Sequence, residues 1–338
     1  PLSFFGGIGG ASRHGILVKG GNYLEALAQT DTVIFDKTGT LTKGVFEVQE
    51  ILAKKTTTEE LLELAVYAES HSNHPISLSL KKAYGKEVKN DIVKDVQEIP
   101  GFGVQALVDG RLVLVGSAKL MSEHGITYTE DATIGTTVHV AVDSEYYGRI
   151  VIADEIKEDA SKALKALRSE NVRQTVMLTG DCQYVGEYVA KELGIDKAYA
   201  ELLPADKVNK LEEIMAEKAG KGKVAFVGDG VNDAPVLARA DIGIAMGGLG
   251  SDAAIEAADV VIMTDEPSKI VTAIKIAKRT VLIAKQNIFF ALSVKAAVLL
   301  LGALGMASMW AAVFADVGVS VIAILNAIRV LNVSSNFR

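Results

Sequence analysis

The chain has 338 residues, long enough for two or three domains and a sizeable buried core. Its net charge of −7 gives no ground for a nucleic-acid partner, and its single cysteine, Cys182, excludes an internal disulfide framework or a cysteine-pair metal site. Charged residues thin out after Gln286 while hydrophobicity rises, so a soluble body precedes a membrane-like tail.

The chain opens in mid-pattern with Pro1-Leu2-Ser3-Phe4-Phe5-Gly6-Gly7-Ile8. That apolar run is too short for a bilayer, which takes about 20 helical residues, and it lacks the basic leader of a signal peptide. Residues 1–12 are therefore expected to be the tail of a truncated transmembrane helix. Residues 12–30, with Arg13, His14 and Lys19, read as a helical approach to the next segment.

That segment is Val33-Ile34-Phe35-Asp36-Lys37-Thr38-Gly39-Thr40-Leu41-Thr42. A β-prone run ending in an acidic residue and a Lys/Thr/Gly turn is how a buried parallel strand delivers a side chain to the ligand-binding edge of an α/β sheet. Asp36 at the strand tip is a candidate nucleophile towards a phosphoryl group. Gly39 lets the chain turn tightly, while Lys37, Thr38 and the later threonines offer a cation and donors to phosphate oxygens. An isolated Asp here would read as a turn cap.

Residues 58–70 have helical periodicity, with a capped start at Thr58. Short strands are expected at 93–99, 103–109, 112–116, 137–142 and 146–152, with Asp109-Gly110 as a hairpin turn. Residues 44–149 thus form an inserted α+β domain. Strand–helix alternation then returns, with strands Thr175–Leu178 and Lys223–Val227 and helices Ala160–Ser169, Cys182–Leu193 and Lys207–Lys218. Each strand ends in an acidic loop, so residues 13–43 and 150–280 are expected to share one doubly wound sheet.

Three loops should meet at the carboxyl edge of that sheet. They carry Asp36, Thr179-Gly180-Asp181, and Gly228-Asp229-Gly230-Val231-Asn232-Asp233. Phosphoryl transfer asks for positioning and charge neutralisation. Asp36 would be the nucleophile, Asp229 and Asp233 would hold Mg²⁺, and Thr179 and Lys207 would neutralise the transferring oxygens.

The tail holds two apolar segments, 286–304 and 309–331, around a short turn; a pair of buried core helices is the soluble alternative. Lys275, Lys278, Arg279 and Lys285 precede the first, and Arg329 and Arg338 close the second. The positive-inside rule puts both ends in the cytosol. Lys295 and Asp316 lie at matched distance from the turn, roughly 15 Å deep at about 1.5 Å per residue. Opposite charges at that depth read as an ion pathway or a structural pair. Gly318 would permit close helix approach.

The run Asp36–Thr42 matches the phosphorylation motif of the P-type ion-pumping ATPases at every position, and the three loops resemble their haloacid-dehalogenase-like phosphorylation domain. The resemblance implies that Asp36 becomes an aspartyl-phosphate and that Lys37, Thr38, Thr179, Gly180, Asp181, Lys207 and Asn232 serve catalysis. Asp36, Thr38, Asp229 and Asp233 would hold Mg²⁺. The insert, with His74-Pro75 and Pro100-Gly101-Phe102-Gly103-Val104, is similar to the nucleotide-binding domain of the heavy-metal pumps. Glu69, His74, Gly101, Gly103 and Gly116 would surround the adenosine of ATP; Ser117 stands where many relatives carry Asn. His71 with His74 could instead suggest a metal pair, but no third ligand is nearby.

Lys295 and the Asp316-x-Gly318 pattern resemble the last two helices of the zinc/cadmium/lead-exporting branch, where they belong to the transport site. A carboxylate suits a borderline divalent cation, whereas Cu(I) prefers sulfur ligands. The expectation is therefore ATP-driven export of Zn²⁺, Cd²⁺ or Pb²⁺ by a multi-pass plasma-membrane protein whose catalytic domains are cytosolic. Relative to the family, an actuator domain with its Thr-Gly-Glu loop and the earlier transmembrane helices would be missing partners of this chain. The rivals are a phosphohydrolase of the same fold, which would carry a second Asp where Thr38 stands, a non-catalytic nucleotide-sensing membrane module, against which the intact Asp36, Lys207 and Asp229 set argues, and a copper exporter.

Overall fold

The computed structural model describes residues 1–332 except Asn73, Lys89, Pro100, residues 129–134, Ala219, Lys221, residues 248–251 and Ala307. Of the positions named above, Pro100 and Arg338 lie outside the described residues. The chain forms two compact units, Pro1–Thr42 with Ile156–Arg338, and Lys43–Glu155.

The first unit opens with α1 (Leu2–Arg13). The approach to the Asp36 strand is not one helix. Gly15, at φ +73°, turns the chain into β1 (Ile16–Val18), and α2 (Gly21–Ala28) then leads to β2 (Thr30–Asp36). A three-residue strand is too short to register as a periodic signal, and β1 draws its partner from far away in sequence, at Val260–Ile262.

The second unit begins with β3 (Thr42–Ala53), which the sequence pattern did not disclose. It is an edge strand with much of its length facing solvent, so no apolar face marks it. α3 (Thr58–Ala68) follows, capped by Thr57 rather than Thr58, with the Thr57 hydroxyl accepting from the Glu60 N–H at 3.2 Å. α4 (Pro75–Tyr84) starts at His74. Next come β4 (Val93–Ile99), β5 (Gly103–Val108), β6 (Arg111–Gly116), α5 (Ala118–Glu123), β7 (Thr136–Val142) and β8 (Glu145–Ile156). β8 outruns the expected end at 152, which carries the second unit to Glu155. The strands form a six-stranded sheet in the order β3-β8-β7-β6-β5-β4. Asp109 (φ 49°) and Gly110 (φ 76°) make the two-residue turn between β5 and β6, a left-handed pair that matches the strand twist. Leu61, Val66 and Leu80 of α3 and α4 pack on Val113, Val115 and Val140.

The chain then re-enters the first unit through α6 (Ala160–Ser169), β9 (Gln174–Leu178), α7 (Gln183–Leu193), β10 (Lys197–Tyr199) and α8 (Pro204–Glu217). β11 (Lys223–Gly228), α9 (Ala234–Arg239), β12 (Ile242–Met246), α10 (Asp252–Ala257) and β13 (Val260–Ile262) complete it. The seven-stranded sheet runs β1-β13-β12-β11-β2-β9-β10. Its pairs are parallel except β1 with β13. Side chains alternate across it. Phe35, Met177, Val227 and Ile244 belong to one apolar cluster, and Ile34, Val176, Phe226 and Ala245 to another, so helices cover both faces. α8 begins three residues before the expected Lys207, because Pro204 fits the first helical position and Asp206 accepts from the Leu203 N–H at 3.1 Å.

The tail is a helix pair, but its first member starts inside the body. α11 (Ser268–Ala303) runs unbroken for 36 residues, and its early turns bury Ile270, Val271 and Ile274 in the first unit's core. α12 (Met309–Leu331) contains a wide turn at Phe314–Gly318. Both helices are long and apolar enough to cross a membrane.

Candidate functional site

β2 lies between β11 and β9 in parallel, so the loops leaving these three strands share one edge of the sheet. Carboxylate oxygens of Asp36, Asp229 and Asp233 gather there within 4.8 Å of one another. Lys207, placed in the first turn of α8, donates to Asp36 at 2.5 Å and to Asp233 at 2.9 Å. Lys37 pairs with Asp181 of the neighbouring loop at 2.5 Å. Thr179 is buried, and its hydroxyl accepts from the Asp181 N–H at 3.1 Å, tightening the turn through Gly180. Thr38 and Asn232 are exposed in the first and third loops. Gly39 has a stronger requirement than a tight turn. It sits at φ +71°, and a Cβ there would stand 1.7 Å from an Asp229 carboxylate oxygen.

The electrostatics follow from two buried acids, Asp36 and Asp233, sharing Lys207, with the half-buried Asp229 beside them. Burial and the neighbouring Asp233 charge raise the Asp36 carboxyl to about 7, against the pull of Lys207. Burial and Asp233 likewise raise Asp229 to about 6, with Lys157 opposing. Burial disfavours the Lys207 ammonium, but the Asp36 and Asp233 charges outweigh it and its pKa is raised. Lys207 thus stays charged while the acids hold more negative charge than it can balance. Hard oxygen donors with surplus negative charge fit Mg²⁺ and not a soft metal.

The second unit carries a cavity of about 250 Å³ whose lining includes all five residues expected at a nucleotide, Glu69, His74, Gly101, Gly103 and Gly116. His74 caps α4, its Nδ1 accepting from the Ile76 N–H at 3.3 Å, which leaves Nε2 to bear the proton of the neutral ring. Glu69 is buried and accepts from the Ser77 hydroxyl at 2.6 Å. Gly103 and Gly116 face each other across β5 and β6. A Cβ on Gly103 would meet the Val115 carbonyl at 2.2 Å, and one on Gly116 the Phe102 carbonyl at 2.2 Å. Their smallness therefore serves the close approach of two strands. Gly101, at φ +78° with open space beside it, is free to face a ligand.

In the tail, Lys295 of α11 donates to Asp316 of α12 at 3.5 Å, and Asp316 lies within the wide turn. Gly318 does not make room for α11. The space beside it is taken by the Phe314 ring of its own helix, 2.5 Å from where a Cβ would be.

Comparison with known proteins fits this arrangement. The profile of the haloacid dehalogenase-like hydrolases matches residues 30–241. The chain is 58% identical to a cadmium, zinc and cobalt-transporting ATPase of Bacillus subtilis over 99% of its length and 48% of the relative's. It is 54% identical to a zinc-transporting ATPase of Synechocystis, across 98% of this chain and 46% of that one. A crystal structure of a zinc-transporting PIB-type ATPase in the E2.Pi state superposes with a TM-score of 0.88 at 34% identity, covering 98% of this chain and 55% of that one. The chain belongs to the haloacid dehalogenase-like family, in its P-type ATPase branch. It spans about half the length of the relatives it matches.

Within this P-type framework the sequence pattern missed Lys157, whose buried ammonium donates to the Gly39 carbonyl at 2.6 Å and to Asp265 at 2.7 Å. A lone lysine where the chain re-enters the Asp36 sheet was the available signal. Phe102, which stands inside the Gly101-Phe102-Gly103 run but was not singled out there, also lines the cavity, as does Thr137, which no motif announces.

Proposed function

We propose that this chain is the ATP-binding and phosphorylation part of a pump that exports divalent heavy-metal cations, Zn²⁺, Cd²⁺ or Pb²⁺, across the plasma membrane. The observation that carries the reading is Asp36 at the sheet edge, joined by Lys207 to Asp233 and clustered with Asp229. ATP would bind the second unit's cavity, with Glu69 and His74 reading the adenosine and Gly101 admitting it. An Asp36 oxygen attacks the γ-phosphorus, the bond to the ADP oxygen breaks, and ADP leaves with its electron pair. Lys207 and Thr179 neutralise the moving oxygens, while the Lys37–Asp181 pair fixes the flanking loops. Mg²⁺, held by Asp36, Asp229, Asp233 and Thr38, would supply further charge neutralisation. Asn232 belongs to the same loop and would orient it. Thr38 at the position of the second Asp of a phosphohydrolase leaves no acid/base to hasten hydrolysis, so the phospho-Asp36 state persists.

Lys295 and Asp316 form the cation site between α11 and α12. A carboxylate suits a divalent cation better than Cu(I), and relatives named for cadmium, zinc and cobalt support that choice. Lys275, Lys278, Arg279 and Lys285 before the apolar part of α11, with Arg329 near the end of α12, support a cytosolic side for the catalytic units under the positive-inside rule.

The test is acid-quenched labelling with γ-labelled ATP and Mg²⁺, comparing this chain with Asp36→Ala. A hydroxylamine-sensitive label that requires Asp36 is the expected result. Hydrolysis of ATP with no trapped label would favour a phosphohydrolase instead.

A further inference from the structure

Between β8 and α6 the chain passes Lys157 and Asp159, residues to which phosphoryl transfer gives no task. Lys157 is 5% exposed. Its ammonium donates to the Gly39 carbonyl at 2.6 Å and to an Asp265 oxygen at 2.7 Å, and its own N–H donates to the Leu41 carbonyl at 3.0 Å. Asp159 accepts from the Ser268 N–H at 2.9 Å. One short stretch therefore grips the loop after Asp36 and, with its other contacts, the start of α11. A buried lysine is costly unless paired, and an apolar side chain would fill the same space more cheaply. Its two partners account for its presence.

The Gly39 contact reaches the carboxylate cluster directly. The backbone there lies so close to Asp229 that a Cβ would stand 1.7 Å from its oxygen. A shift of the Gly39 carbonyl would therefore move the surface against which Asp229 rests. Asp265 stands just before Ser268, where α11 begins, and α11 carries Lys295 further along.

We propose that Lys157 is a positioning residue that clasps the Asp36 loop to the root of α11, holding Asp229 in place for a divalent cation and coupling loop and helix. The cation part rests on the phosphoryl-transfer reading above; the clasp can be tested without turnover.

The experiment uses the full chain in detergent, with Lys157→Met, Lys157→Arg and Asp265→Asn checked for folding by thermal melts. Mn²⁺ binding is followed by electron paramagnetic resonance, and amide hydrogen exchange is read at residues 38–42 and 268–275. Lys157→Met should weaken Mn²⁺ binding by about tenfold or more, in the range typical of groups that orient metal ligands, and speed exchange in both segments. Lys157→Arg, which keeps charge and donors, should stay within about threefold of the wild type. A folded Lys157→Met with unchanged Mn²⁺ affinity and unchanged exchange overturns the proposal. Should Lys157→Met not fold, Asp265→Asn decides. Mn²⁺ should slow exchange at 268–275 in the wild type and not in this variant, and equal slowing in both overturns the coupling. A wild-type chain that binds no Mn²⁺ would overturn the cation reading, while exchange in Lys157→Met would still decide the clasp.

Discussion

Asp36 carries two demands that pull in opposite directions. As the proposed nucleophile it must be ionised, yet burial and Asp233 raise its carboxyl to about 7, and Asp229 is raised to about 6. A divalent cation resolves the conflict by favouring the ionised forms. In the metal-free chain both acids keep protons that the unfolded chain has already lost above about pH 4. Their contribution to stability is therefore greatest in acid and declines as pH rises towards about 7, because the folded state then binds more protons than the unfolded one. Mg²⁺ should reverse that trend. Calorimetric titration is expected to show Mg²⁺ affinity rising between about pH 5 and 8, by up to about tenfold per pH unit for each proton displaced, with proton release on binding. An affinity flat across that range would mean that both acids are already ionised without metal.

Elements decide which residues reach these sites, and one element end has two tasks. His74 caps α4 through Nδ1 and also lines the cavity proposed for the nucleotide. Asparagine is a strong helix cap but offers neither an aromatic face nor an Nε2 donor. His74→Asn should therefore keep the melting temperature of the wild type while weakening ATP binding about tenfold, the equivalent of about 1.4 kcal/mol. His74→Ala should lose a further ~1 kcal/mol of stability with the cap. Thermal melts and nucleotide titration separate the two effects, and equal ATP affinity in His74→Asn would leave His74 as a cap alone. Elements also set what the sequence disclosed. β2, β9 and β11 each join a continuous apolar run to an acidic loop, so Asp36, Asp181, Asp229 and Asp233 were legible from pattern alone. β1 and β13 are three residues long, and β3 is a half-exposed edge, so none bore a periodic signature. Lys157 and Asp265 were illegible for another reason. Their contact spans 108 positions of sequence, and only the closed sheet brings it about.

At the scale of the molecule, α11 would link the proposed phosphoryl chemistry to the membrane. From its root at Ser268 to Lys295 runs about 40 Å of helix at about 1.5 Å per residue, with no break between the core and the apolar tail. At the far end, Lys295 faces Asp316 at 3.5 Å inside the wide turn of α12. A lone charge near the middle of a bilayer costs about 2.5–3.5 kcal/mol, so removing one partner strands the other. Lys295→Met and Asp316→Asn should each destabilise the chain in nanodiscs by about 2 kcal/mol, with the double variant less destabilised than the sum by about 1 kcal/mol or more. Thermal unfolding of the four proteins measures that coupling. Additive single effects would mean that the two charges do not compensate each other, and the cation site would then rest on Asp316 without its neighbouring lysine. A positive coupling would make Lys295 the group that a cation at the proposed membrane site has to displace, and so would tie occupancy of that site to the helix rooted beside the Asp36 loop.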